Sequence, residues 1–286
     1  KSVQASLAIE GNMLTLSQVS DLFKGKKVVA FSQDVLETRN ALLVYDHLKS
    51  FDALSEEDLL KAHTILTKDM VHEKGPWRLE NKSLLKEKDV SHDESRIRKV
   101  PQVLGGLFHF VSHDLFKEKD ATYMAPPPHM VPKLMRGLFD FISYDTQTPW
   151  LLKACIFHYE FELIHAFNEG NGRIARLWQQ LLLMKEHSLF EFVSVEVMMK
   201  KHQDAYHEAL GKSDLLGEST PFIEFCLDMI YGALQDYGHK AVAPSMDACD
   251  RLIYAKDHLE QESFSRKNYM NIHKDISMAT ASRDLV

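Results

Sequence analysis

From Leu151 to Ile164 the chain is apolar on nearly every side at helical spacing, with Leu152, Cys155, Ile156, Tyr159 and Leu163 spread around the wheel. A helix of that kind is stable only at the centre of a protein, so the rest of the chain must supply elements that enclose it. The flanking segments read as helices. Val3, Leu7 and Ala8 share a face, as do Leu42, Leu43, Tyr45 and Leu48, and further on Leu134, Met135, Leu138, Phe139 and Ile142. Ser55 followed by Glu56, Glu57 and Asp58 reads as an N-cap, and Pro126-Pro127-Pro128 closes a segment ahead of a helix beginning near Val131. The expected fold class is mainly α, a helical bundle. Helical spacing breaks down between Lys74 and Pro101, where Gly75-Pro76-Trp77-Arg78 opens a stretch rich in charge and serine. That stretch reads as a short β-hairpin flap, with Trp77 in the core.

Composition narrows the function classes. Over 286 residues, 41 acidic against 34 basic side chains leave a net charge of -7, which argues against a surface built to coat nucleic acid. The chain is 45% hydrophobic and 26% charged, enough for a packed core and, at ~150 residues each, about two domains. Three cysteines, Cys155, Cys226 and Cys249, are too few and too far apart for a disulfide framework or a zinc knuckle, and they suit a reducing cytoplasm. Apolar runs such as Leu181 to Met184 fall far short of the ~20 residues of a membrane helix, so no membrane partner is expected.

The chemistry concentrates in His165-Ala166-Phe167-Asn168-Glu169-Gly170-Asn171-Gly172-Arg173-Ile174-Ala175-Arg176. His165 ends the central helix. Gly170-Asn171-Gly172 is backbone able to take positive φ and approach a ligand closely, and a helix running to about Glu186 starts at once, near Arg173. Free amides and the dipole at a helix start favour an anion. Arg173 and Arg176 lie at i and i+3, cations at the wrong end of a dipole, and a bound polyanion would account for both. Glu169 would repel phosphate unless a hard cation lay between them, the way Mg²⁺ is usually held beside a nucleotide. His165, with an ordinary pKa of ~6.5, suits the removal of a proton from an attacking hydroxyl. The segment reads as base, metal acid, anion cradle and two phosphate clamps. Glu162 and His158 precede His165 on its helix and read as partners in local hydrogen bonds.

This segment resembles the signature of the Fic family, H-x-F-x-[DE]-G-N-G-R-x-x-R. Gly11-Asn12-Met13-Leu14-Thr15-Leu16, the stretch from Pro126 to Phe141 and Tyr206-His207-Glu208-Ala209-Leu210 resemble the family as well, so the likeness covers most of Lys1 to Tyr237. It implies a Fic-type bundle over residues 1–240 that transfers AMP from ATP, with Mg²⁺, to a Ser, Thr or Tyr hydroxyl of a protein. Carried onto this chain, His165 is the base, Glu169 the metal ligand and Gly170, Asn171 and Gly172 the cradle. Arg173 clamps phosphate and Arg176 meets the outer phosphate. Where the family usually has proline after the histidine this chain has Ala166, which bears on the stiffness of the loop more than on its chemistry.

Glu10, at the end of a short helix spanning about residues 2–12 and just before Gly11, sits at the negative end of a dipole and calls for a cationic partner. Ser6 to Gly11 resembles the inhibitory [ST]-x-x-x-E-[GN] pattern of autoinhibited Fic proteins, which implies a Glu10–Arg176 pair. Past a lapse around Tyr237 to Met246, residues 244–286 carry helical patterns at Arg266–His273 and from Ser277 onward, with helix-turn-helix spacing. They resemble the winged-helix tails of some Fic proteins, a module for docking protein or DNA. Transfer of another nucleotide group, removal of AMP, a DNA-associated regulator with a nucleotide-sensing Fic domain, and a homodimer are all compatible with the sequence.

Overall fold

The structure, a computed structural model, describes residues 1–70, 76–80, 125–242, 247–259, 265–273 and 276–285. In chain order its α-helices are α1 (Ser2–Ile9), α2 (Leu16–Phe23), α3 (Ser32–Asp46), α4 (Glu56–Leu66), α5 (Val131–Tyr144), α6 (Trp150–Ile164), α7 (Asn171–Glu186), α8 (Val195–Lys201), α9 (Gln203–Leu216), α10 (Thr220–Val242), α11 (Ala248–Leu259), α12 (Arg266–Ile272) and α13 (Met278–Asp284). No strand occurs among the described residues. Apart from residues 76–80, the stretch expected to form a hairpin flap lies outside them; the lapse expected around Tyr237 to Met246 is helical as far as Val242, and residues 243–246 lie outside the described residues. Residues 1–234 and 235–286 form two compact units, and the division falls within α10.

The first unit is built around α6. Ala154 to Phe161 are buried without a break, so the helix is enclosed on all sides, as its all-round apolar sequence requires. Its main partner is the following helix α7, buried from Arg173 to Leu183. On another side α5 presents the expected stripe of Leu134, Met135, Leu138, Phe139 and Ile142. Phe139 meets Phe157 edge-on at 5.8 Å and Trp178 at 6.4 Å. The buried Trp178 indole donates to Ala53 O at 2.9 Å, so its one polar atom is satisfied. Ser55 caps α4 through the Asp58 amide at 3.2 Å. The expected stripe on α3 needs correction: Leu43 is exposed, Thr38, Ala41 and Val44 are on the inner face, and Leu48 is buried in a short 3-10 turn past the helix end. Adjacent residues on a helix stand about 100° apart, and on this half-exposed helix the inner arc includes Val44 and leaves Leu43 outside it.

Helix α1 packs against α3, α7 and α8 through Val3, Ala5, Leu7 and Ile9. Its last carbonyls are satisfied from outside: Lys200 Nζ donates to Ala8 O and Gln203 Nε2 to Ile9 O, each at 2.9 Å. A lysine there also complements the negative helix end.

The second unit has its own small core of Ala255, Tyr269 and Ala281 from α11, α12 and α13. Arg251 forks onto Asp284 at 2.7 and 2.9 Å, and Tyr269 donates to the same carboxylate at 3.1 Å. Ser265 and Ser277 cap α12 and α13, which stand at the two positions where the sequence showed helical patterns.

Candidate active site

The site is the junction between α6 and α7. Helix α6 ends with His165 in the left-handed region, φ 50° and ψ 58°, its amide still bonded to Phe161 O at 3.0 Å. That conformation at a helix end is most often taken by glycine, though histidine is among the residues that tolerate it better. Around it lies Arg78. Its Nε donates to His165 O at 2.6 Å, its Nη2 to Pro126 O and, at 3.4 Å, to Ile164 O, its Nη1 to Glu80 O at 2.7 Å, and its amide to Ala166 O at 2.9 Å.

Beyond His165 the loop closes on itself. Asn171 accepts from Phe167 N at 2.9 Å and donates to Phe167 O at 2.8 Å, so one carboxamide serves both backbone groups of one residue. The fully buried Phe167 ring lies between His63, stacked at 3.5 Å and 7°, and Trp77 at 5.4 Å. Trp77 is a core residue, as expected. His63 on α4 also bonds Glu169 O through Nε2 at 2.9 Å. Burial is the main cause that pulls its pKa down to about 4, so the ring is neutral and donates to that carbonyl.

Gly170, at φ 86°, is the N-cap of α7, which therefore starts at Asn171, two residues earlier than the sequence suggested. Over this helix start lie the two arginines. Arg173 is buried, and its Nε and Nη1 have no hydrogen-bond partner among the described residues. Arg176 is more deeply buried. Its Nη2 donates to Glu10 Oε1 at 2.5 Å and to Ser6 O at 3.1 Å, and its Nε donates to Ser6 Oγ at 3.1 Å. Helix α1 thus reaches the loop through the two residues singled out in the sequence. Burial opposes ionisation of the Glu10 carboxyl, but the charge and hydrogen bond of Arg176, helped by Arg173, outweigh it and hold the pKa below the usual range. The carboxylate is open to solvent on one side, its side chain 42% exposed against 1% for Arg176. On the other side it occupies the space above Gly172, where a Cβ would overlap Glu10 Oε1.

Beneath this pair runs a buried polar chain. Tyr206 donates to Glu162 at 3.1 Å, His158 Nε2 bonds Tyr206 at 3.1 Å, and His158 Nδ1 bonds Gln179 at 2.6 Å. Burial first, then the negative charge of Glu10, pushes Glu162 up to about 7, and burial takes His158 down to about 3. Both are hydrogen-bonding members of the interior. Glu169 is exposed at the lip of the loop.

The structure therefore brings Ser6, Glu10, Glu162 and the segment from His165 to Arg176 into one place. Two residues of the frame carry no local signal. Arg78 is a buried cation separated from its partners by up to 87 residues in sequence, and His63 by 106 from Glu169. The one hint for His63 is that it shares the buried stripe of α4 with Leu59, Ala62 and Leu66.

Residues 53–183 match the Fic/DOC family. The chain is 25% identical over 128 residues to "Protein adenylyltransferase Fic" of Culex quinquefasciatus, covering 42% of this chain and 24% of that one. It is 31% identical over 85 residues to "Protein adenylyltransferase fic-1" of Caenorhabditis elegans, covering 30% and 16%. This chain thus spans no more than about a quarter of those relatives. A Fic-1 structure from C. elegans shares the fold at 18% identity, with a TM-score of 0.59 over 85% of this chain and 63% of that one. A crystal structure of a Fic family protein from Desulfovibrio desulfuricans G20 superposes with a TM-score of 0.67 at 32% identity, covering 99% of this chain and 76% of that chain. The chain belongs to the Fic/DOC family.

Proposed function

We propose that this chain is an autoinhibited, Mg²⁺-dependent adenylyltransferase that moves AMP from ATP to a Ser, Thr or Tyr hydroxyl of another protein. The carrying observation is the pair of buried Arg173 nitrogens that have no hydrogen-bond partner among the described residues, beside the glycine-bounded start of α7: a buried cation in that state suits an anion supplied by a ligand. The relatives named as adenylyltransferases support AMP as the group transferred.

In this reading Gly170, Asn171 and Gly172 offer backbone amides to the phosphates, Arg173 grips them, and His165 removes the proton of the attacking hydroxyl. The oxygen bonds to the α-phosphorus, the bond to the β-phosphate bridge breaks, and pyrophosphate leaves with its electrons. Glu169, an exposed carboxylate at the loop's lip with no ion-pair partner among the described residues, fits a hard cation shared with nucleotide oxygens. Among the described residues no cluster of three acidic, histidine or cysteine ligands offers such an ion a site of its own. Bound there, Mg²⁺ would neutralise phosphate charge.

Glu10 supplies the inhibition. It holds the Arg176 guanidinium that would otherwise meet the outer phosphate, and its carboxylate covers Gly172 in the cradle. Residues 1–240 form the catalytic domain in this reading. Residues 244–286 form a docking module for a protein or DNA, and a cytoplasmic setting suits the three unpaired cysteines.

ATP labelled at the α-phosphate tests the reading. The E10G variant should label itself or proteins of a lysate roughly 30- to 150-fold faster than wild type, the release expected from a lock biased by about 2–3 kcal/mol. R176A should not, since it loses clamp and lock together. No label on any protein in E10G would end the proposed activity; equal labelling by wild type and E10G would end the autoinhibition alone.

A further inference from the structure

Resting on the reading of His165 as the base, we infer that Arg78 is a positioning residue that sets where the His165 imidazole stands. Three successive carbonyls at the end of α6 go to this one side chain and its own amide: Ile164 at 3.4 Å, His165 at 2.6 Å and Ala166 at 2.9 Å. Helix ends normally satisfy these groups with a glycine and the chain's own following amides. Here the residue in the left-handed conformation is the one whose side chain the chemistry needs, so glycine is excluded and the conformation has to be imposed from outside.

The means is unusual. Arg78 is 1% exposed and is surrounded by carbonyl oxygens; no carboxylate partner is present among the described residues. Burial lowers its pKa, which marks the guanidinium as costly to keep charged there. The negative end of α6 offsets part of that cost. A planar fork with fixed donor directions fits the His165 carbonyl in one orientation, whereas a lysine ammonium rotates and constrains nothing beyond distance. Fixing that carbonyl fixes ψ at His165, and with it the direction in which Cα launches the ring. The Ala166 carbonyl is tied by the same residue, so the stiffness that proline gives the loop in the family's usual motif comes here from Arg78. The guanidinium also bonds Glu80 O and Pro126 O, which makes it a junction of three backbone segments.

The test compares E10G with E10G carrying R78K or R78Q, each first checked by thermal unfolding and near-UV circular dichroism. In folded R78K or R78Q, KM for ATP should stay within about threefold while kcat falls roughly 10- to 100-fold, because the cradle is intact and only the base is displaced. A histidine-labelled sample gives a readout independent of turnover. The His165 ring signal, assigned by its loss in H165A, should shift or split in the Arg78 variants, with the His158 signal in place. Unchanged kcat, a fall in kcat accompanied by a marked rise in KM and a drop in melting temperature, or failure of both variants to fold would each overturn the positioning role. Should E10G transfer no label at all, the enzyme reading fails separately, and an unmoved His165 signal in folded R78K would then overturn this inference too.

Discussion

In the proposed reading, His165 combines two demands that ordinarily conflict, a glycine's backbone and a base's side chain. Truncating it should leave its main support in place, because Arg78 bonds the backbone carbonyl, which alanine keeps. H165A in the E10G background is expected to keep its fold and ATP affinity while losing ~10²–10⁴ in transfer rate, read with labelled ATP; undiminished labelling would remove the base assignment. The role proposed for His165 comes from its place in the motif, whereas its support has no signal in the sequence. Nothing about Gly75-Pro76-Trp77-Arg78 says that the arginine points inward to carbonyls that arrive much later in the chain. Two other residues near the site set a pH dependence. Burial raises Glu160 to about 8 and Glu162 to about 7, against 4.5 for a free glutamate. Both carboxyls keep their proton in the folded protein where the unfolded chain has lost it. Their contribution to stability is therefore complete below about pH 4.5 and is lost as pH rises through 7 to 8. E160Q should flatten the fall in unfolding free energy between pH 5.5 and 8.5 by on the order of 1–3 kcal/mol, measured by denaturant titration. A slope identical to wild type would show that the group ionises normally.

At the scale of elements, α1 is held to the bundle in two ways. Its apolar face is packed against α3, α7 and α8, while its polar end, Ser6 and Glu10, bonds Arg176 and lies over Gly172. This separation means the proposed lock should be weakened without unseating the helix. S6A removes one hydrogen bond to a buried guanidinium but leaves the Ser6 carbonyl contact and the Glu10 pair, so it should release transfer only about three- to tenfold, well short of E10G. Release by S6A equal to that of E10G would mean that the helix as a whole had come away. The sequence showed this element clearly, because a glutamate at the negative end of a helix is an anomaly that asks for a partner. The stripe on α3 was misjudged at Leu43 because three leucines and a tyrosine spread over too wide an arc for hydrophobicity alone to select the inner side. The early start of α7 has no signal in the sequence because Gly170 is its N-cap and provides no side-chain cap.

On the scale of the whole molecule, the two compact units have separate cores, and the smaller one rests on few residues. D284A deletes the acceptor shared by Arg251 and Tyr269 and leaves both without it. It should lower the melting of residues 235–286 by several degrees, followed by calorimetry, with the larger unit's transition unmoved; a single transition shifting as one would show that the two units unfold together. The motif loop offers a different measure of the molecule's history. Asn171-Gly172 is the one Asn-Gly pair in the sequence, and such pairs lose the side-chain amide spontaneously when the next backbone nitrogen attacks it. In the folded chain both polar atoms of that amide are engaged by Phe167, and the attacking nitrogen belongs to the first turn of a helix. The reaction is open to the loop only while it is unfolded. Each excursion to the unfolded state therefore carries a risk of converting residue 171 to aspartate, which accepts from Phe167 N but no longer donates to Phe167 O. An aged sample would accumulate chains whose loop cannot close again, and the one-dalton gain at that residue would count the times its members had opened.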